Sequence, residues 1–242
     1  MAKLNPLAYW IGYGLLSIVT GLLVTWWLLA QVNFLYPVWY SGLAIDQHIA
    51  RYAPQNRHRQ HFERTDRAEH QRLFAALNTA IHARGQGLAE LRYYDPAGQP
   101  LGTLLTDPER RHLYDVAELV QRVLPLAGLA AGGWLLWSAV LLWRRRAPPP
   151  LRYFVLGSVL AMALLGVVVG VMGPVHLFYV WHEWVFPPEN PWFFYYQDSL
   201  MTTLLKAPDV FIAIGALWWV SAWAVALGLW GLLRRLAQRS NA

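Results

Sequence analysis

Residues 123–173 read VLPLAGLAAGGWLLWSAVLLW-RRRAPPPLR-YFVLGSVLAMALLGVVVGVMG. Two apolar runs flank a short linker that carries four arginines and three prolines. Neither run holds an Asp, Glu, Lys, Arg or His. Each is about the 20 residues that a helix needs to cross a ~30 Å hydrocarbon core. The apolar residues are continuous and not spaced on one face, which separates these runs from the amphipathic helices of a soluble domain. Working outward, two further runs of the same kind appear at 7–31 and 210–233. The first is too long for a cleavable secretion signal, and no small-x-small site follows it. The sequence therefore predicts four transmembrane helices, at 7–31, 123–143, 153–173 and 210–233.

The charged residues lie between these runs and are sorted by sign. Lys3, Arg144, Arg145, Arg146, Arg152, Arg234, Arg235 and Arg239 flank one side with no acid among them. All fourteen acids and all eight histidines lie in 32–122 and 174–209, with the remaining basic residues. Lys and Arg mark the cytoplasmic side. Both termini, the loop 144–152 and the tail 234–242 are expected inside, and 32–122 and 174–209 outside. The net charge of +6 is thus a topology signal and does not point to nucleic acid. The absence of cysteine excludes disulfides, a catalytic thiol and a lipid-modified Cys in this chain.

Gly128-x-x-x-Gly132 and Gly166-x-x-x-Gly170 have the spacing that lets helix backbones approach in lipid, and are read as packing seams. Of the tryptophans in the spans, Trp26, Trp27, Trp134, Trp137, Trp143, Trp218, Trp219 and Trp230 lie mostly toward the span ends and read as an aromatic belt at the membrane interface. In the first outer segment, 42–53 and 65–82 have helical spacing, with Leu73, Phe74, Leu77 and Ile81 on one face. A β-like stretch, 90–94, meets the turn signal Asp95-Pro-Ala-Gly98. Thr106-Asp-Pro-Glu109 is a helix start, and its helix continues past a break near Pro125 into the second span. The second outer segment embeds its polar residues in aromatics, as a segment lying in the membrane interface does. The expected fold class is an all-α polytopic membrane protein, one membrane-integrated domain over 1–242 with a mainly helical outer cap and a short β-hairpin.

Every side chain able to exchange protons near neutral pH is then on the outer face. His112 and Asp115, three apart, share a helix face. A carboxylate beside an imidazole fixes its tautomer and raises its basicity, although an ordinary surface pair has the same spacing. His182 lies among aromatics; it is either a base or an interfacial histidine with a structural hydrogen bond. Glu183 is adjacent in sequence and so faces elsewhere on a helix. His176 is six residues from His182 and shares no helical face with it. His48, His58, His61, His70 and His82 read as solvated, without the spacing of a metal-binding helix. No Gly-rich phosphate loop, G-x-S-x-G elbow or Cys/His zinc pattern is present. No span holds a histidine to ligate haem. Histidine acid–base chemistry on a lipid is the economical enzymatic reading. A non-enzymatic reading is a membrane protein whose outer cap binds a partner or acts as an assembly factor.

Thr106-Asp-Pro-Glu-Arg-Arg-His112-Leu-Tyr-Asp115-Val116 resembles a signature of the bacterial lipoprotein intramolecular transacylases. The aromatic stretch 178–192, with His182, Phe186 and Trp192, resembles their second. Asp198-Ser-Leu200 and Pro208-Asp209-Val-Phe211 look like its continuation. Trp181 stands where the pattern leads one to expect Phe, and the histidine-rich stretch 57–72 is no mark of the family. The resemblance implies an enzyme of the bacterial cytoplasmic membrane, acting at its outer face on diacylated lipoproteins without cofactor or metal. It would move the sn-2 acyl chain of a diacylglyceryl-Cys to the α-amine of the same Cys, giving an N-acyl lyso-form. His182 is then the expected principal base, with His112 and Asp115 as a partner pair. Arg110, Arg111, Tyr114 and Trp192 are candidates for substrate or oxyanion contacts.

Overall fold

The computed structural model describes residues 6–239. Its elements are α1 (Pro6–Gln31), α2 (Tyr36–Gly42), α3 (Ile45–Tyr52), α4 (Arg67–His82), β1 (Arg92–Tyr94), β2 (Pro100–Thr103), α5 (Asp107–Trp143), α6 (Leu151–Met172), α7 (Pro174–Val185), α8 (Leu200–Leu205) and α9 (Asp209–Arg239). Helices α1, α5, α6 and α9 are long and apolar enough to cross a membrane. The apolar, spanning part of α5 is 123–143, and its amino-terminal half carries the charges. The chain forms two compact units. One comprises Met1–Leu29, Val123–Gly173 and Ala216–Ala242, and the other Ala30–Arg122 and Pro174–Gly215.

The first unit is built from the four apolar runs. Its core is aromatic: Tyr13, Trp134 and Trp230 are buried with Leu141 and Leu233. Phe154 stacks on Trp230 with ring centroids 4.4 Å apart. The polar ends of these rings are paired, as a lipid-embedded core demands. Tyr13 Oη lies 2.9 Å from Ser138 Oγ, and Trp134 Nε1 donates to Ser17 Oγ. Trp134 and Trp230 are therefore core residues, unlike the belt expected of them; Trp143, 81% exposed, keeps the peripheral position.

The packing seams also differ from expectation. A Cβ added at Gly128, Gly132, Gly166 or Gly170 would meet nothing within 4 Å. These glycines face away from the neighbouring helices. The close approach lies between α1 and α9, where a Cβ at Gly21 would sit 2.3 Å from the Ala222 carbonyl oxygen. On α6, Leu160, Leu164 and Val171 are 62, 67 and 80% exposed. That outward apolar face fits a hydrocarbon environment, where every backbone group is bonded within the helix.

The second unit packs around Tyr36, Ile45, Phe62, Leu73, Leu88, Leu104, Leu200 and Leu204, all buried. The apolar face of α4 carries Leu73, Phe74 and Leu77 into this core with Ala80. Asp66 caps its first turn by accepting from Glu69 N. Tyr36 stacks on Phe74 at 4.1 Å and donates to Leu204 O. β1 and β2 pair antiparallel with a bulge at Tyr93/Tyr94. Asp95 holds the turn by accepting from Ala97 N and Gln99 N, and Gly98 takes the left-handed conformation at φ 79°.

Three of the five histidines read as solvated are instead partly or fully enclosed; one is His82, half-buried against Phe34 with Nδ1 2.9 Å from Asn78 O. His70 is buried, with Nδ1 2.9 Å from Tyr40 Oη and Nε2 2.7 Å from Thr65 Oγ1. Because Thr65 Oγ1 donates to Phe62 O, His70 Nε2–H donates to Thr65 and Nδ1 accepts from Tyr40. His48 is half-buried and packs on Tyr52 and Tyr196. Burial lowers His48 and His70 to about 4.

Candidate active site

The site forms within the second unit, on α5, α7 and the irregular segment after α7. Thr106 starts α5 as foreseen. Its N–H and Oγ1 both donate to Glu109 Oε2 at 2.6 Å, the carboxylate half of a capping box. The other oxygen, Glu109 Oε1, accepts from Ser199 Oγ at 2.5 Å. Ser199 caps α8 by accepting from Thr202 N. A fully buried carboxylate thus joins the starts of two helices.

A helix advances 100° per residue, so Glu109, His112 and Asp115 lie along one face of α5. Arg110 and Tyr114 lie on the opposite side. Arg110 is tied to Asp107 at 2.5 Å, Arg111 is exposed, and Tyr114 lies against Gly85. The structure brings none of these three candidates to the histidines.

His112 and His182 come together, their ring centroids 5.9 Å apart. Both are buried, at 7 and 6% exposure. Phe186 joins them, 4.9 Å from His112 and 5.3 Å from His182. Phe178, Trp181 and Trp192 surround His182 at 4.0, 4.8 and 5.0 Å. Trp192 is thus the aromatic candidate that does reach the site. His176 is exposed.

His182 Nδ1 is 2.8 Å from Phe178 O. A carbonyl can only accept, so Nδ1 carries the proton and the neutral ring presents its lone pair at Nε2. Burial lowers the His182 pKa, offset in part by that carbonyl bond. His112 is lowered to about 4, by burial first and then by His182 beside it. Both rings are therefore neutral at pH 7 and competent to accept a proton. His112 Nδ1 is buried and has no hydrogen-bond partner among the described residues.

Asp115 does not pair with His112. Its Oδ2 accepts from Asn190 Nδ2 at 2.8 Å, linking α5 to the segment that carries Phe186, Trp192 and Phe194. The two residues share a face by spacing, but the second loop offers the carboxylate a neutral amide donor. The sequence reading missed Asn190 and Glu109 as members of this neighbourhood. The capping-box spacing Thr106-x-x-Glu109 was the available signal for Glu109. Asn190, 75 residues from Asp115 in sequence, had none.

No protein-family model matches the sequence, and no curated protein matches it. Among solved structures, the chain is similar to the in meso structure of the membrane-integral lipoprotein intramolecular transacylase Lit from Bacillus cereus, determined with a histidine-to-arginine mutation. The TM-score is 0.58 at 14% identity, over 95% of this chain and 92% of that one. The two share a membrane-protein fold, which in this chain comprises four long apolar helices and a small hairpin.

Proposed function

We propose that this chain is an intramolecular acyltransferase of the bacterial cytoplasmic membrane. It moves the sn-2 acyl chain of a diacylglyceryl-Cys lipoprotein onto the α-amine of the same Cys, on the outer face. The observation that carries this reading is the pair of buried neutral histidines, 5.9 Å apart under an aromatic cage, in a fold shared with Lit.

The amine and the ester already belong to one molecule, so the protein must mainly orient them and move protons. The neutral amine attacks the sn-2 carbonyl carbon, and a nitrogen–acyl bond forms. His182 Nε2 takes the amine proton and returns it to the glycerol oxygen as the ester carbon–oxygen bond breaks. The products are an amide and a free 2-hydroxyl. His112 serves as the second imidazole of the pair. Phe178, Phe186 and Trp192 keep water from the ester, so transfer wins over hydrolysis.

The test is mass spectrometry of a reporter lipoprotein amino terminus in a host that lacks N-acylation. Expression of the native chain should yield N-acyl lyso-form product, and His182→Ala should lower it by about 10²–10⁴-fold. A diacylglyceryl-Cys left unmodified by well-expressed native protein refutes the proposal.

A further inference from the structure

Asp115 was expected to orient His112, yet its carboxylate points its hydrogen bonding elsewhere. One oxygen is held by Asn190, and Oδ1 accepts no hydrogen bond from the described residues. Asp115 also lines a half-open pocket of about 160 Å³ with Glu118, Leu119, Arg122, Val185, Phe186 and Pro187. Glu118 is paired with Arg122 at 2.5 Å. The two charges compensate, which leaves Asp115 as the one acid of the cavity without a cationic partner.

The cavity adjoins the histidine pair through a shared wall. Phe186 lines it and packs on both His112 and His182. Asp115, Glu118 and Arg122 form its polar wall, and Leu119, Val185, Phe186 and Pro187 its apolar one, so it suits a charged group carried on apolar atoms. Its volume admits a charged group and its first bonded atoms. A cation that can donate to a carboxylate matches the charge left on Asp115.

We propose that this cavity is the subsite for the α-ammonium end of the substrate polypeptide, with Asp115 Oδ1 as its counter-ion. The assignment rests on the transacylase reading and names the part of the substrate held beside the histidines. Asn190 fixes the Asp115 carboxylate and so acts as a positioning residue. The amine docks protonated against Asp115, one helical turn from His112 on α5, releases that proton to solvent, and attacks as the neutral amine. The acyl chains lie away from this charged wall.

The experiment measures binding to the full chain in detergent at pH 6.5. The probes are a synthetic diacylglyceryl-cysteinyl peptide with a free α-amine and its N-acetylated twin. The native protein should bind the free-amine peptide at least about ten-fold more tightly, one charge-assisted contact's worth. Asp115→Asn should remove this preference while leaving the affinity for the acetylated twin unchanged. That second affinity reports folding. The double variant Glu118→Gln/Arg122→Gln, which removes the compensated pair and leaves Asp115 in place, should keep the preference. Equal binding of the two probes by the native protein, or a preference that survives Asp115→Asn, overturns the subsite. If Asp115→Asn fails to bind the acetylated twin, Asn190→Ala replaces it. That variant should reduce the preference without abolishing it, and an undiminished preference counts against the proposal. The same preparations are assayed for acyl transfer. Transfer without amine preference sinks the subsite alone; amine preference without transfer sinks the transacylase reading alone.

Discussion

His182 and His112 owe their chemistry to burial. An imidazole in water is half-protonated near 6.5, and here both are held lower. His112→Ala should reduce N-acyl product by about 10²-fold or more, read by the same amino-terminal mass spectrometry, and near-native turnover would remove it from the proton path. Glu109 makes a different kind of prediction. Its two oxygens take donors from Thr106 and Ser199 in a fully buried position. Glu109→Ala leaves those donors without a partner, so it should cost about 1–3 kcal/mol. Hydrogen exchange should show the loss first at the starts of α5 and α8, and unchanged protection there would refute the role. The motif around His112 was readable in the sequence because its members are local. The Asp115–Asn190 bond was not, because spacing along one helix cannot reveal a competing partner on another segment.

The four long helices follow from composition: uninterrupted apolar runs have few other ways to satisfy their backbones. The interior of the four-helix unit follows from shape. Gly21 has the Ala222 backbone against it, whereas Gly128 and Gly166 face open space. Gly21→Val should therefore destabilise the unit by more than 1 kcal/mol, while Gly128→Ala and Gly166→Ala should stay within about 0.5 kcal/mol of the native chain. Thermal unfolding in detergent separates the three, and a well-tolerated Gly21→Val would contradict the close α1–α9 contact. All three positions look alike in a motif search. A small-xxx-small pattern records which backbones can approach, not which helix stands opposite.

Stability of the whole chain should depend on pH through its enclosed histidines. His48, His70 and His112 are lowered to about 4, against about 6.5 in the unfolded chain. Above 6.5 neither state binds these protons, and the contribution is complete. As pH falls from 6.5 towards 4 the unfolded chain takes up protons that the folded chain refuses, so stability declines. For buried His70 and His112 the loss is on the order of 3 kcal/mol each at most. Denaturant unfolding in detergent at pH 7.5, 6 and 4.5 should show a falling midpoint, and His70→Gln should flatten the slope. A midpoint independent of pH would show that these rings are solvated. Four apolar runs, a one-sided distribution of acids and a capped helix bearing His112 were all legible from the order of residues. Each arises from local free energies of transfer and of helix ends, which neighbours in sequence carry. The meeting of His112 with His182, the burial that keeps both neutral, and the transfer of Asp115 from His112 to Asn190 belong to the folded chain. They depend on which side chains exclude water from one another across 70 or more residues, and no stretch of sequence contains that information.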